Sequence, residues 1–292
     1  MSIAEDPAPP PGAGTAPGAI MDPEEAARQR RRKLDRIGRW VVPVVVGILA
    51  IWGWDRIVVV NEIPHYILPR PGLVAKTLWI DWPTLVGSLF ITLKVAFSAL
   101  LAAVIGGVGL AVLFTQSRWL EMAFYPYAVI LQVTPVISIA PLILIYMDTV
   151  PAIILCAWIV AFFPILSNTT LGLNSTDHNL RDLFTIYGAT RWQRLRLLQL
   201  PSALPYFLGG LRIAGGLSLI GAVVAEFAAG TGGLGAGLAF RILEAGYRLN
   251  IPRMFAALFL IAGAGVAIYT LTSFISHMLL RKWHESAIKR DV

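Results

Sequence analysis

The chain has 292 residues, of which 57% are hydrophobic and only 14% carry a charge. Soluble proteins have about 25% charged residues, so this composition leaves too little polar surface to cover a soluble fold. It excludes a mostly disordered chain and argues against a soluble enzyme. The single cysteine, Cys156, also excludes an intrachain disulfide framework and a thiolate metal cluster.

The N-terminal segment divides into a polar and an apolar part. Residues 1–36 are rich in Pro, Gly and Ala and then in Arg, which predicts a disordered, basic tail. Residues 37–60 predict an N-terminal anchor helix. This anchor resembles a signal peptide, but no small-residue cleavage site follows it, so we expect it to stay uncleaved.

Six apolar windows predict membrane spans, because a bilayer core requires about 20 apolar residues per helix. Four of them lack charged residues, and two contain isolated charges. The sequence therefore predicts an all-α, polytopic membrane protein with six transmembrane helices. The windows are 40–60, 95–117, 122–147, 149–176, 206–229 and 254–280.

Basic residues between the spans predict the orientation of the chain. Sixteen Lys and Arg residues fall on the side that holds both termini and the loop 174–205, whereas six fall on the other side. We therefore expect both termini and this loop to be cytoplasmic. A C-terminal cytoplasmic tail is predicted over 281–292.

Prolines and polar side chains cluster in the third and fourth spans. Proline removes a backbone donor and bends a helix, which membranes tolerate only where neighbours or a wet cavity satisfy the freed carbonyl groups. Structural hydrogen bonding between helices explains the same residues equally well. Ionisable groups within spans are also functional candidates, although a structural role as paired charges explains them too. The candidate pathway residues are Gln132, Thr134, Ser138, Asn168 and Glu226.

The loop between spans four and five contains signals for two short helices. Asp177 can cap a first helix, and Gly188 can end it in the left-handed conformation. Thr190 can cap a second helix, which we expect Pro201 to end. The result would be a rigid projection at the membrane surface, suited to receive force from another protein. An amphipathic segment that rests on anionic lipid is the alternative.

The same loop resembles the conserved cytoplasmic EAA loop of ATP-binding-cassette (ABC) importer permeases. That pattern is Glu-Ala-Ala, three residues, Gly, nine residues and Ile-x-Leu-Pro; here Asp182 begins the motif and Leu200 and Pro201 end it. The stretches YPYAVILQVTPVISIAPL, FFPILSNTTLGL, LPYFLGGLRIAGG, GAVVAEF and TGGLG are similar to the nitrate/sulfonate/taurine branch, including permeases for thiamine-pyrimidine precursors.

The resemblance implies a type I ABC importer permease fold, with a permease core over 84–280 and a coupling loop over 174–205. It implies a pair of permease copies, here a homodimer, in a bacterial inner membrane. A cytoplasmic ATPase dimer binds ATP and Mg, and an extracytoplasmic solute-binding protein delivers a small polar or anionic solute. The residues expected to couple to the ATPase are Asp182, Leu183, Phe184, Gly188, Ala189, Arg191, Arg194, Leu200 and Pro201.

The resemblance makes this chain a transport subunit rather than an enzyme, with no cofactor, metal or nucleic acid of its own. The sequence agrees, since no Gly-Lys pair is present to form a P-loop. A stand-alone secondary transporter or channel is the alternative, but it would require ion sites within the spans. A membrane enzyme would require clustered His, Asp or Glu, and the four histidines are far apart in the sequence.

Overall fold

The computed structural model describes residues 23–230 and 236–281, and they form eleven α-helices and one π-helical turn. These described residues contain no β-strand, so the predicted all-α fold is confirmed. The helices are α1 (Pro23–Val60), α2 (Pro71–Ile80), α3 (Trp82–Gln116), α4 (Arg118–Val133), α5 (Val136–Tyr146), α6 (Thr149–Asn174), α7 (His178–Ile186), α8 (Arg191–Arg194), α9 (Leu200–Ala229), α10 (Leu238–Tyr247) and α11 (Ile251–Leu280).

Five helical stretches are long and apolar enough to cross a membrane, and a bent helix pair brings the number to six. The bent pair is α4 with α5, whose axes differ in direction by 103°. Thr134 ends α4, and Pro135 precedes α5 without a backbone N–H to continue the ladder. The third predicted window is therefore helical but broken into two, and the bend predicted from its prolines falls at Pro135.

Residues 1–61 form one of two compact units. Within it, α1 begins at Pro23, so the prediction of a disordered tail through residue 36 is wrong for residues 23–36. This stretch reads PEEAARQRRRKLDR, a run of strong helix formers with Pro in the first turn, and arginine content alone does not oppose a helix. Residues 1–22 lie outside the described part of the chain.

In the second unit, residues 62–292, small residues let α6 and α9 pack closely in an antiparallel pair. A Cβ atom added at Gly172 would lie 2.8 Å from the Ala203 Cα atom, and one added at Gly221 would lie 2.8 Å from the Ala157 Cα atom. Neither site leaves room for a methyl group. Small residues at such crossings are the usual basis of helix association in lipid, where apolar burial gives no net drive.

The same packing explains the small residues of α3. Ala103, Gly107 and Ala111 are buried, and Gly107 faces Ile165 and Leu166 of α6. The interpretation of this stripe as a packing surface is confirmed. The helix itself begins at Trp82 rather than near residue 95, because one lysine, the exposed Lys94, interrupted the charge-free window without interrupting the helix.

Candidate functional site

The first half of the loop 174–205 folds as its sequence predicts. The Asp177 carboxylate accepts a hydrogen bond from the backbone N–H of Asn179 at 2.8 Å and caps α7. At the other end, Gly188 has φ +67 and lies just beyond the last turn. Its N–H donates to the Thr185 carbonyl group at 3.0 Å, and the Ala189 N–H donates to that of Phe184 at 2.9 Å. These two bonds define a Schellman motif, which requires the left-handed residue.

The second half of the loop begins with a capping box. The Thr190 hydroxyl accepts from the Gln193 N–H at 3.2 Å, while the Gln193 side-chain oxygen accepts from the Thr190 N–H at 2.8 Å. Two otherwise unpaired donors of the first turn are thereby satisfied. The loop is consequently fixed by local hydrogen bonds at both sides of Gly188.

The prediction that Pro201 ends the second helix is wrong. After α8, residues 195–199 form a π-helical turn that leads directly into α9, so one helical stretch runs from Arg191 to Ala229. Pro201 lies in the first turn of α9, where a missing N–H is tolerated. The coupling loop is thus covalently continuous with a long membrane helix, through a π-helical turn of the kind that is frequent at functional sites.

The surface of this loop is exposed and partly apolar. No residue of α7 is buried, and the large hydrophobic side chains on either side of its C-terminus are highly exposed, with Ile186 at 82% and Tyr187 at 80%. Among the predicted coupling residues, Asp182, Leu183 and Gly188 are exposed and Phe184 is partly buried. The loop therefore presents one exposed surface with apolar, acidic and basic groups.

The two predicted coupling arginines line a small cleft beside the loop. Arg191 is exposed and Arg194 is partly buried, and both line a cleft of about 180 Å³ with Gln116 of α3 and Gln199 of the π-helical turn. The Arg194 Nε atom is buried without a hydrogen-bond partner in the described residues. Arg194 thus faces the end of α3. Leu200 remains exposed, and Ala189 and Pro201 are partly buried.

A cleft of about 690 Å³ lies where the α4–α5 bend meets α6 and α9. It brings together three of the five predicted pathway residues, Gln132, Thr134 and Asn168. Ser138 is exposed but does not line this cleft, although it lies only one turn into α5. The described lining contains no charged side chain; its members are Leu131, Gln132, Thr134, Pro135, Val136, Ile137, Ile159, Val160, Phe163, Pro164, Ser167, Asn168, Ile213, Leu217, Ile220, Gly221 and Val224.

The remaining predicted pathway residue, Glu226, is placed elsewhere. It is only 4% exposed and does not line the cleft. Thr92 of α3 donates its hydroxyl to the carboxylate at 2.9 Å, and the Ala239 N–H at the start of α10 donates to it at 3.2 Å. Gly237 lies directly against the carboxylate. Glu226 therefore does not share this cleft with Gln132, and its carboxylate instead closes the N-terminus of α10.

Sequence reasoning missed Thr92, which is 134 positions from its partner Glu226. The Thr92 oxygen also accepts from the Leu238 N–H at 2.9 Å. No spacing motif marks a hydroxyl that is paired across three helices. The one available signal was a lone carboxylate inside an apolar window, which requires donors once it is buried.

Three arginines in α10, just after it and at the start of α11 are paired with acids. Arg241 and Arg248 each lie 3.0 Å from the Glu244 carboxylate, and Arg253 lies 3.3 Å from Asp81. The hydrogen bond from Arg241 holds the pKa of Glu244 below its ordinary value, and the charges of Arg248, Arg241 and Arg253 add to this effect. These arginines therefore bind structural partners. The TGGLG stretch lies outside the described residues.

Known proteins with similar sequences fit this architecture. The family described as "Binding-protein-dependent transport system inner membrane component" matches residues 103–289. The riboflavin transport system permease protein RibX of Chloroflexus aurantiacus is 34% identical over 84% of this chain and 90% of its own length. The formylaminopyrimidine transport permease protein ThiX of Halalkalibacterium halodurans is 32% identical over 74% of this chain and 85% of its own.

A solved structure shares the fold. A chain of an amino acid ABC transporter, crystallised with histidines, superposes with a TM-score of 0.57 and 19% identity, covering 70% of this chain and 96% of that one. This chain belongs to the family of binding-protein-dependent inner membrane transport components, the permease subunits of ABC importers. Sulfonate and nitrate import permeases are also relatives, which confirms the predicted branch.

Proposed function

We propose that this chain is the transmembrane subunit of an ATP-driven importer and that the loop 174–205 transmits the motion of a partner ATPase dimer. The observation that carries the proposal is the rigid, exposed loop: capped at Asp177 and Thr190, turned at Gly188, and continuous with α9. A loop that is fixed internally moves as a body. Force applied to its exposed apolar face would then act on α9 itself.

Alternating access follows from this connection. ATP binding closes the two ATPase subunits, and the loop rotates with them. Because α9 packs tightly on α6 through Gly172 and Gly221, the two helices move together. A cleft lined by both helices and the α4–α5 bend then changes its access from one face of the membrane to the other. Hydrolysis resets the cycle, and a second, identical copy of this chain completes the pathway.

For the solute, we propose a neutral molecule with a flat heteroaromatic ring, the pyrimidine-precursor type among the solutes carried by this branch. The cleft offers amide and hydroxyl groups from Gln132, Ser167 and Asn168 on an otherwise apolar wall. Such a lining suits orientation by a few hydrogen bonds. Among the described residues, this lining has none of the cationic groups that recognise nitrate or sulfonate. The names of the riboflavin and formylaminopyrimidine relatives agree with this choice.

A tagged full-length chain, extracted gently from its native membrane, tests the proposal. We expect a cytoplasmic ATPase and a solute-binding protein to co-purify, and the reconstituted assembly to take up solute only with ATP. Riboflavin and formylaminopyrimidine are the first solutes to examine, with nitrate and taurine as comparisons. A chain that purifies alone and moves solute in vesicles without ATP would instead be a secondary transporter or channel.

A further inference from the structure

A second cavity, separate from the transport cleft, lies where the loop 174–205 meets α9 and α11. Its volume is about 920 Å³. The lining comes from the start of the loop, the first turns of α9 and the last turns of α11. Its members are Ser175, Thr176, Asp177, Leu180, Pro201, Ser202, Pro205, Tyr206, Gly209, Arg212, Ser273, Ser276, His277 and Leu280.

This cavity differs from the cleft in its chemistry. Five hydroxyl-bearing serine and threonine side chains, an imidazole and a guanidinium group face it. Two of its polar atoms, Arg212 Nε and Ser273 Oγ, are buried without a hydrogen-bond partner in the described residues. Buried polar atoms nearly always have a hydrogen-bond partner, from the protein, from an ordered water or from a ligand. The Arg212 Nε–H can only donate, so its missing partner is an acceptor, and the Ser273 hydroxyl can donate to the same acceptor.

The charges around the cavity favour an anion. Arg212 has no carboxylate partner among the described residues, and its guanidinium carbon lies 5.7 Å from the centre of the Tyr269 ring. A second arginine, Arg181, donates to the Thr176 hydroxyl at 2.6 Å. The one carboxylate of the described lining, Asp177, already accepts the Asn179 N–H at the start of α7. Arg212 thus forms no ion pair with the described residues, and its cation contact there is the face of the Tyr269 ring.

We propose that this cavity binds a phosphate-type oxyanion, with Arg212 as its charged partner and Ser273 as a hydroxyl donor. A guanidinium group presents paired N–H donors that match two oxygens of a phosphate. Basic pockets between membrane helices also hold the headgroups of anionic lipids. The phosphate belongs either to such a headgroup or to a soluble anion. In both cases it would join the loop to α9 and α11.

Thermal unfolding of the purified full chain in neutral detergent tests this site. The probes are dioleoylphosphatidylglycerol, dioleoylphosphatidylcholine and inorganic phosphate, each titrated separately. The variants are Arg212→Gln and Ser273→Ala, and Lys94→Gln is the control because Lys94 is also a cation within a span but does not line the cavity.

We expect an anion to raise the unfolding midpoint of the wild type, with an apparent Kd that is weakened about tenfold or more in Arg212→Gln. Lys94→Gln should bind like the wild type. A response to phosphatidylglycerol alone identifies a lipid headgroup, and an equal response to inorganic phosphate identifies a soluble anion. The same binding in the wild type and Arg212→Gln, or no binding of any probe, overturns the proposal.

A folding defect in Arg212→Gln would not leave the question open. Ser273→Ala and Arg212→Lys then decide it, since both keep the volume of the cavity nearly unchanged. Weakened anion binding in this pair supports the site, and wild-type binding in both contradicts it. The experiment needs no ATPase, so its failure is distinct from a failure of the importer proposal.

Discussion

The hydroxyl group of Thr92 on α3 lies 2.9 Å from the carboxylate of Glu226 on α9, although the two residues are 134 positions apart. The same hydroxyl oxygen accepts the Leu238 N–H, and the carboxylate accepts the Ala239 N–H. These two side chains therefore satisfy the first turn of α10 and hold three helices together. Because all four groups are buried, loss of any one leaves the others without a partner.

Replacing Thr92 with the nearly isosteric valine should lower the free energy of unfolding by about 1–3 kcal/mol, because the Leu238 N–H and the Glu226 carboxylate each lose a partner. The measurement is equilibrium unfolding in detergent. Thr272→Val is the matched control, since Thr272 is equally buried but bonds only to carbonyl groups of its own helix. Equal losses in the two variants would contradict a special role for Thr92.

Gly188→Val should abolish ATP-dependent uptake while leaving membrane insertion intact. Gly188 has φ +67, and a left-handed conformation costs about 1–2 kcal/mol for a residue with a side chain, with β-branched residues least tolerant. The turn between α7 and α8 would then open, and the loop would no longer move as a body. Uptake in vesicles that contain the co-purified ATPase measures the effect.

Gly188→Asn provides the control for this prediction, because asparagine tolerates the left-handed region better than other side chains. It should keep most of the uptake. No atom lies within 4 Å of a Cβ atom at this position, so lost activity in the valine variant would report backbone conformation rather than a clash within the chain. Normal uptake by Gly188→Val would refute the coupling role.

Gly221→Ala should destabilise the chain by about 1–3 kcal/mol, since its methyl group would lie 2.8 Å from the Ala157 Cα atom and force α6 and α9 apart. Gly216→Ala, in the same helix, meets no atom within 4 Å and should be neutral or slightly stabilising. The thermal unfolding midpoints of the two variants measure the contrast. Similar midpoints would mean that this helix pair tolerates separation.

The loop 174–205 shows which features a sequence can specify. Asp177, Gly188 and Thr190 act through the backbone within three residues of themselves, so their roles follow from local chemistry alone. Pro201 was misjudged because proline is compatible both with the end of one helix and with the first turn of another. Local sequence did not reveal the π-helical turn that joins the two.

The membrane helices show what local sequence cannot predict. Hydropathy predicted the spans, and the prolines predicted the bend now seen at Pro135. Their polarity within apolar spans was enough to predict Gln132 and Asn168 as candidates, and both line the cleft. The burial of Glu226 away from that cleft depends on its contacts with Thr92 and α10. Only the tertiary fold brings these groups close to Glu226. Polarity within a span identifies residues that need a partner, but it does not say which partner they find.

Glu244 on α10 predicts a pH dependence of stability. The Arg241 hydrogen bond lowers its pKa, so the folded state binds a proton less readily than the unfolded chain. The stabilisation of the folded state by the ionised Glu244 is therefore complete above the ordinary pKa of 4.5. It is lost as the pH falls through the lowered pKa of the folded state. Because Arg248 is well exposed, the pairs should contribute less than about 1 kcal/mol.

Glu244→Gln should accordingly lower the unfolding midpoint slightly at pH 7, and its difference from the wild type should shrink progressively from the ordinary pKa of 4.5 towards about pH 3, as the wild-type carboxylate takes up a proton. Thermal unfolding between these two pH values measures this difference. Glu62→Gln is the control: Glu62 is exposed in the connection before α2, and its replacement should leave the wild-type profile unchanged. A gap between Glu244→Gln and the wild type that persists undiminished at pH 3 would show that the side chain acts through packing rather than through its charge.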